Sequence, residues 1–509
     1  MPSGPRKSQA SLSTRPLPNP LPYPDVPQSV FGIVDVLFVG RLGAGTAMRE
    51  TRVPMNAEAT VVLPSIDDAG ELLETTLRHS PADETEIVWL GVRRGRGLRE
   101  AGGARASLHA GATALVRVLD RGRMGSYRTG ESDAGALADA VRQAIAQSRV
   151  KEPLPGLPHL PCDETPLAEM PALHDSELAS WSPADAEAWL SSLPADGLIA
   201  ELRWAEATVL VANSRGLHRR ARVTGAELAV RHAVGPGGGR AVHAARTLRA
   251  VAANDVLDRA RERHGSDRSD DLPAEPRAII LAPEASCALA DLLNRVALSA
   301  TAYSEGASLL REHLGIQVFD RAVDVWDDGT DPVGLAFPFD LEGTAKRPVA
   351  LISKGTPRTP ALDQRQAAQL GLPPTGCSIS GNDALALNLI VARGEASDSD
   401  LLAAGEGGLW VGWLEEVECS DSQRLEFRAL ARGVRHVRGG ALAEAAPDAL
   451  WRDSLLRLLS ERPLLGASRG LRLSRDGYLG GILAPAMAVA PGLLQPLDGS
   501  SVQRTKTRV

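Results

Sequence analysis

The ten histidines of this 509-residue chain are the natural starting point for metal chemistry. A zinc hydrolase typically holds two histidines one helical turn apart, with an adjacent glutamate that takes a proton from the bound water. No two histidines here are three or four positions apart; they stand at 79, 109, 159, 174, 218, 232, 243, 264, 313 and 436. Histidine spacing therefore predicts no helical zinc site, and most of these residues are expected on the surface or in loops.

A cluster of aspartates at Asp324, Asp327, Asp328 and Asp331 is a second candidate. A calcium loop needs a mid-loop turn and a late bidentate glutamate, and this spacing provides neither. A carboxylate pair such as Asp327/Asp328 can do acid and base work only in a cleft that raises one pKa. We expect a solvated turn here.

The four cysteines, Cys162, Cys287, Cys377 and Cys419, are widely scattered and form no CxxC or CxxH pattern. This spacing indicates neither a zinc knuckle nor a disulfide framework, so reduced thiols in a cytoplasmic protein are predicted. The glycine cluster at 235–239 lacks the following lysine of a phosphate-binding loop and is expected to be a loop tip.

Composition argues against two classes of partner. The net charge of -7 opposes general nucleic-acid binding, which depends on lysine and arginine neutralising phosphates. The local cluster of Arg93, Arg94, Arg96 and Arg99 is expected to be a solvated face. No apolar run reaches the length of a membrane helix, so we expect no membrane partner.

The elements that must position any site fall into two predicted domains, because the chain exceeds what one hydrophobic core usually supports. We predict a Pro-rich, disordered extension over 1–57, an N-terminal domain over 58–270, a C-terminal domain over 274–496 and a disordered tail over 497–509. The acidic, Pro-containing stretch 265–276 is the boundary. Each domain is predicted to be α+β, with antiparallel sheet and helices.

Local signals support this class. Ser132 and Asp133 are predicted to cap a helix over 134–148, and Ser182 with Pro183 to begin another. The region 86–92 is predicted to be a strand, followed by turns at Gly95, Gly97, Gly102 and Gly103. A short buried strand over 277–281 is expected to lead into an amphipathic helix over 283–299.

Several segments, in this order, resemble the TldD/PmbA family over about residues 64–491. The first domain contributes ADETEIVWLG at 82–91 and GATALVRVLDRGRMGSYRTG at 111–130. The second contributes SEGASLLREHLG, DDGTDP, FDLEG, PTGCS, NLIVARGEAS and GGLWV. None of these is specific alone, and the resemblance rests on their order and spacing.

The resemblance implies where zinc ligands would stand. Catalytic members carry HExxxH on the first helix of the second domain and a cysteine near the C-terminus. Here that helix reads PEASCA, so Pro283 and Ala288 replace the histidines and only Glu284 remains, at the general-base position. Leu479 stands about where the cysteine is expected. Cys287, one residue from the second histidine position, is expected to be a buried, inert thiol.

These departures match the PmbA/TldE branch, whose members lack HExxxH. The resemblance implies a pseudo-peptidase subunit that holds no metal or cofactor, and that pairs with a TldD-type, zinc-holding, HExxxH-containing partner to enclose an extended peptide substrate. Two alternatives stay open. One is a stand-alone, homodimeric binding or regulatory protein, and the other is a metal-free enzyme that uses Glu284 or the Asp327/Asp328 pair.

Overall fold

In the computed structural model, residues 63–497 are described except for short gaps at 155, 163–164, 171–172, 195–196, 233–238, 266, 380–382 and 475–476. The predicted extension over 1–57 lies outside the described residues, as does the predicted tail except for Leu497. No helix in the described part of the chain is long and apolar enough to cross a membrane.

The N-terminal region consists of one sheet and the helices that cover it. In chain order its elements are α1 (Ile66–Arg78), β1 (Glu84–Glu100), β2 (Gly103–Asp120), β3 (Arg123–Thr129), α2 (Ala134–Arg149), α3 (Ser176–Ser180), α4 (Pro183–Ser192), β4 (Leu198–Asn213), β5 (His218–His232), β6 (Arg240–Ala245), a 3₁₀ turn (Arg249–Val251) and α5 (Ala253–Glu262). The six strands are all antiparallel, in the order β3-β2-β1-β4-β5-β6.

The C-terminal region is built around a larger sheet. Its elements are β7 (Arg277–Leu281), α6 (Pro283–Leu293), a π-helical turn (Asn294–Leu298), α7 (Ala300–Ser304), α8 (Leu310–His313), β8 (Val325–Asp327), β9 (Val349–Ser353), β10 (Thr356–Pro357), α9 (Gln364–Leu370), β11 (Asn388–Val391), α10 (Asp398–Ala404), β12 (Leu409–Val411), β13 (Trp413–Asp421), β14 (Glu426–Arg432), β15 (Arg435–Arg438), β16 (Ala441–Ala445), β17 (Ala449–Ser454), α11 (Leu455–Ser460), β18 (Leu464–Ser474), β19 (Gly477–Gly492) and β20 (Leu494–Pro496).

The main C-terminal sheet runs β10-β9-β8-β11-β19-β7-β12-β15-β16, and β18 pairs with β19. Only the β11/β19 and β7/β12 pairs among these are parallel. A second sheet has the order β13-β14-β17-β20. The predicted α+β class, with antiparallel sheet and helices in both halves, is confirmed.

The predicted helix starts and the predicted helix over 283–299 are confirmed. Asp133 caps α2 by accepting from the backbone N–H of Ala136 at 2.9 Å, and Ser182 and Asp185 form a capping box on α4. The predicted helix over 283–299 is present as α6 followed by the π-helical turn.

The predicted turns at Gly95 and Gly97 are wrong, because both residues lie inside β1. A Cβ at Gly95 would lie 2.1 Å from Cζ2 of Trp204 on β4, and one at Gly97 would lie 2.6 Å from a methyl group of Leu190. Glycine serves here to admit large side chains against the strand rather than to turn the chain. The turn predicted at Gly102 is present, over Ala101 and Gly102, and Gly103 begins β2.

The predicted solvated face of four arginines is also corrected. Among them only Arg96 is exposed, and it pairs with Glu201 at 3.0 Å. Arg99 is 8% exposed and donates to the carbonyl of Pro194 at 2.8 Å, and Arg93 donates to the carbonyl of Ala179. These side chains tie β1 to the segments beside α3 and α4.

The two regions share an apolar core. Val88 and Val209 of the first sheet pack in one cluster with Phe337, Phe339 and Leu387 of the C-terminal region. Burying such side chains gains about 1.5–3 kcal/mol each. This contact brings β6 and α5 against α6, where the candidate site lies.

Candidate functional site

The first helix of the C-terminal region, α6, is called the motif helix because PEASCA begins it. Pro283 occupies its first position, where the fixed φ and missing N–H of proline are compatible with a helix start. The Pro283 ring is buried against β18, and a Cβ at Gly470 would lie 2.7 Å from its Cβ. The first position of HExxxH is thus filled by apolar packing.

Glu284 is 1% exposed and bridges the two regions. Its Oε1 accepts from Arg263 Nη1 at 2.8 Å and from the backbone N–H of Val242 at 3.1 Å. Burial pushes the pKa of Glu284 up, but the charge and hydrogen bond of Arg263 and the charge of Arg259 bring the pKa below its usual value. The carboxylate is therefore ionised and held, whereas a general base works best with a pKa near the operating pH.

The other two positions at which ligands are expected carry only hydrocarbon. Ala288 is partly buried against the C-terminal core. Leu479 is 7% exposed and belongs to the cluster between the two regions that contains Phe337 and Phe339. Across the described residues, no group of three or more His, Cys, Asp or Glu side chains is arranged to hold a metal ion. The donor set around the motif helix does not fit zinc.

Cys287 is buried in the motif helix and has the environment of a structural thiol. Its Sγ lies 3.4 Å from the carbonyl oxygens of both Gly470 and Ile482, and donates to this pair. Burial raises the pKa of Cys287 to about 12, despite the opposing charge of Arg472. Because the thiolate is the nucleophilic form, the thiol is inert at neutral pH, as expected.

Arg263, which follows α5, was not foreseen from the sequence. Besides the pair with Glu284, its Nη1 donates to the carbonyl of Arg240 at 3.0 Å, and its guanidinium lies 5.9 Å from the ring centre of Trp410. No sequence pattern marks it, because its role depends on α5 and the motif helix meeting across the junction of the two regions.

A second set of buried charged side chains lies around the FDLEG motif. This set is called the acid cluster and consists of Glu86, Arg117, Asp340, Glu342 and Asp363. Arg117 on β2 pairs with Glu86 on β1 at 2.8 Å and also with Glu342. Asp340 accepts from the backbone N–H groups of Glu342, Thr344 and Ser378, at 2.9–3.0 Å. The motif thus joins the first sheet to the C-terminal region.

Crowding of buried carboxylates changes proton affinity in this cluster. Burial, with the nearby charge of Glu342, raises the pKa of Asp340 to about 7. Burial and the charges of Glu342 and Asp340 raise the pKa of Glu86 to about 7, although Arg117 opposes this. Burial and Glu342 raise the pKa of Asp363 to about 6. Glu86 and Arg117 lie in the segments 82–91 and 111–130 that carry the family resemblance, but nothing in the sequence indicated that they meet the FDLEG motif. Asp363 had no sequence signal.

The expectation of a solvated turn is wrong for Asp327. Asp327 is fully buried, and its Oδ2 pairs with Lys346 Nζ at 2.6 Å and accepts from the Cys377 thiol at 3.3 Å. Asp328 instead accepts from the backbone N–H and hydroxyl of Thr330, at 2.8 and 2.6 Å. The two side chains serve different partners, so the Asp327/Asp328 pair is not arranged as an acid and base couple.

Residues 276–491 match the family described as the PmbA/TldA metallopeptidase C-terminal domain. No curated protein matches the chain.

Three solved structures share the fold. A proposed modulator of a DNA gyrase from Thermotoga maritima is 20% identical with a TM-score of 0.71, covering 84% of this chain and 99% of its own. TldE from Thermococcus kodakarensis is 18% identical with a TM-score of 0.72, covering 84% and 100%. A proposed DNA gyrase modulator from Bacteroides thetaiotaomicron is 16% identical with a TM-score of 0.68, covering 85% and 99%. At these identities the likeness establishes the fold.

Proposed function

Because the chain belongs to the TldD/PmbA family, through its C-terminal domain at 276–491, we propose that it is a non-catalytic, TldE-like subunit of a heterodimeric zinc metallopeptidase. In this proposal a TldD-type partner holds the zinc in its own HExxxH helix. The present chain completes the chamber in which an unfolded or ribosomally made peptide is cleaved. Cys287, Cys377 and Cys419 are free thiols, which suits the proposed cytoplasmic location.

The observation that carries the proposal is that the Glu284 carboxylate is already hydrogen-bonded and ion-paired within the chain. Its Oε1 accepts from Arg263 and from the Val242 N–H, and its pKa is lowered. A glutamate in this state holds two regions of the chain together, and its lowered pKa makes it a weak general base. With Pro283, Ala288 and Leu479 at the expected ligand positions, the described residues supply no substitute site for metal.

The proposed contribution of this chain is substrate binding. At Val242, the edge of β6 has no free backbone groups with which to bind a peptide. At β6, the Val242 N–H donates to Glu284, and the Val242 carbonyl accepts from Arg259 at 3.4 Å. An extended peptide that adds to a sheet needs free N–H and C=O groups on the edge strand. Side chains around β6 are therefore better placed than its backbone to contact a peptide.

The test is co-expression with an HExxxH-containing homologue, followed by gel filtration and a peptidase assay. We expect one heterodimer peak at micromolar concentration, since an obligate interface typically buries about 2,000 Å² or more. Activity should require both chains and be abolished by His→Ala changes in the partner. The isolated chain should contain no stoichiometric zinc after a mild chelator wash.

Separate elution of the two proteins under all conditions would refute the subunit proposal and favour the homodimer. Peptide cleavage by this chain alone, at the rate of the mixture, would favour the metal-free enzyme.

A further inference from the structure

Two arginines beside the motif helix have no carboxylate partner in the part of the chain that the structure describes. Arg240 begins β6 and Arg472 lies near the end of β18, and both side chains are partly exposed. Among the described residues, neither guanidinium lies within ion-pair distance of a carboxylate, whereas Arg203 and Arg263 nearby each have one. The Nε of Arg472 is buried and makes no hydrogen bond within the described residues.

The nearest carboxylates are already engaged. Glu227 pairs with Arg203 and accepts from the Leu473 N–H at 2.8 Å, and Glu284 pairs with Arg263 at 2.8 Å. Glu415, the third nearby carboxylate, pairs with Arg432 at 3.1 Å. Burial and the positive charge of Arg472 lower the pKa of Arg240, although the charges of Glu227, Glu284 and Glu415 oppose this. The two guanidiniums therefore repel each other, and each of the three neighbouring carboxylates pairs with a different arginine.

Structural features around these arginines hold them in place. The Arg240 guanidinium lies 5.5 Å from the ring centre of Trp413, which is a cation–π contact. Arg472 lies on a long strand paired with β19 and acts on the pKa of Cys287 in the motif helix. Partly desolvated arginines without anions carry a free-energy cost, and an anion that binds between them recovers it.

We propose that Arg240 and Arg472 form a carboxylate-binding subsite beside the motif helix, which holds the C-terminal carboxylate of an extended peptide. The planar donor fork of arginine matches a carboxylate, which makes such contacts directional as well as strong. The proposal rests on the proposed function, because it assigns the substrate group that the chamber recognises. Recognition by side chains also agrees with the occupied edge of β6 at Val242.

The experiment uses the full chain and a fluorescein-labelled decapeptide of Gly, Ser and Ala, prepared both as the free acid and as the C-terminal amide. Fluorescence anisotropy should show that the free acid binds at least about tenfold more tightly than the amide. Arg240→Gln and Arg472→Gln should each remove most of this preference and leave binding of the amide unchanged. Arg240→Lys, which keeps the charge, should retain part of it.

The control is Arg428→Gln, which removes an exposed arginine on β14 that pairs with Glu418, and it should keep the full preference. Thermal melts of each variant separate loss of recognition from loss of folding. Equal affinity for acid and amide, undetectable binding of both peptides, or equal weakening of both by the variants would overturn the subsite.

Gel filtration with the HExxxH-containing homologue separates this proposal from the proposed function. Variants that lose the preference for the free acid should still co-elute with the homologue. Loss of co-elution in both arginine variants would assign these residues to a carboxylate of the partner and overturn the peptide subsite. A wild-type chain that prefers the free acid and never co-elutes would retain the subsite and refute the heterodimer.

Discussion

Glu284 Oε1 lies 2.8 Å from Arg263 Nη1, and this ion pair joins the motif helix to the segment that follows α5. The Glu284 side chain is 1% exposed and that of Arg263 is 14% exposed, so both charges are largely desolvated. Removing one partner of such a pair leaves an uncompensated buried charge, which is more costly than the pair itself is stabilising. The residue at the general-base position is therefore expected to matter for folding rather than for catalysis.

Glu284→Gln should leave the activity of the heterodimer nearly unchanged but lower the free energy of unfolding of this chain by about 2 kcal/mol. The amide can still accept a hydrogen bond, but Arg263 loses its counter-charge. Urea unfolding measures the stability, with Glu418→Gln as an exposed control that should change it by less than about 0.5 kcal/mol. A hundredfold loss of activity in a folded Glu284→Gln complex would show that Glu284 takes part in the chemistry.

The acid cluster should make stability depend on pH. The folded-state pKa is raised to about 7 for Glu86 and Asp340, so between about pH 5 and 7 the folded chain holds protons that the unfolded chain has released. Their contribution to stability is present below the unfolded pKa and is lost as the pH rises through about 7.

Glu86→Gln, which mimics the protonated acid, should become more stable relative to wild type by about 1–3 kcal/mol between pH 5 and pH 8. The readout is the difference between variant and wild type, because His232, His243 and His264 have lowered pKa values and act in the opposite direction. If the difference in free energy of unfolding between Glu86→Gln and wild type stays constant from pH 5 to pH 8, the raised pKa of Glu86 is contradicted. Glu418→Gln is the control.

The Asp327–Lys346 pair is fully buried, with 2.6 Å between Nζ and Oδ2. Lys346→Met should lower the free energy of unfolding by about 3–5 kcal/mol, because it leaves the Asp327 carboxylate buried without a cation. The matched control is Arg105→Ala, which breaks the exposed Arg105–Glu100 pair and should cost less than about 1 kcal/mol. Equal effects of the two changes in chemical denaturation would show that burial of the first pair carries no penalty.

Gly95→Ala should destabilise the first sheet by about 1–3 kcal/mol, since the added methyl group would lie 2.1 Å from the Trp204 ring. Gly70→Ala in α1 is the opposite case, because nothing lies within 4 Å of the added Cβ. It should raise stability by about 0.5–1 kcal/mol through helix propensity. Differential scanning calorimetry compares the two melting temperatures, and similar shifts for both would contradict the packing at Trp204.

The sequence by itself determined the α+β class, the helix starts at Asp133 and Ser182, and the resemblance to the TldD/PmbA family. Helix caps and strand alternation are local, so nearby residues are enough to predict them. The absence of ligating atoms at Pro283, Ala288 and Leu479 is likewise a matter of residue type. The domain limits were predicted from chain length and from the composition of the stretch 265–276, whereas the partner and the lack of a metal site were predicted from the resemblance. All of these stay predictions.

The tertiary structure alone decided which charges are buried and what they contact. Asp327 looks like one of several turn aspartates in the sequence, yet it is fully buried because Lys346, 19 positions away, folds against it. Glu284 and Arg263 are 21 positions apart, and Arg117 and Glu342 are 225 apart. Burial and pairing arise when distant segments pack together, and no local pattern encodes such contacts, so their chemistry appears only in the folded chain.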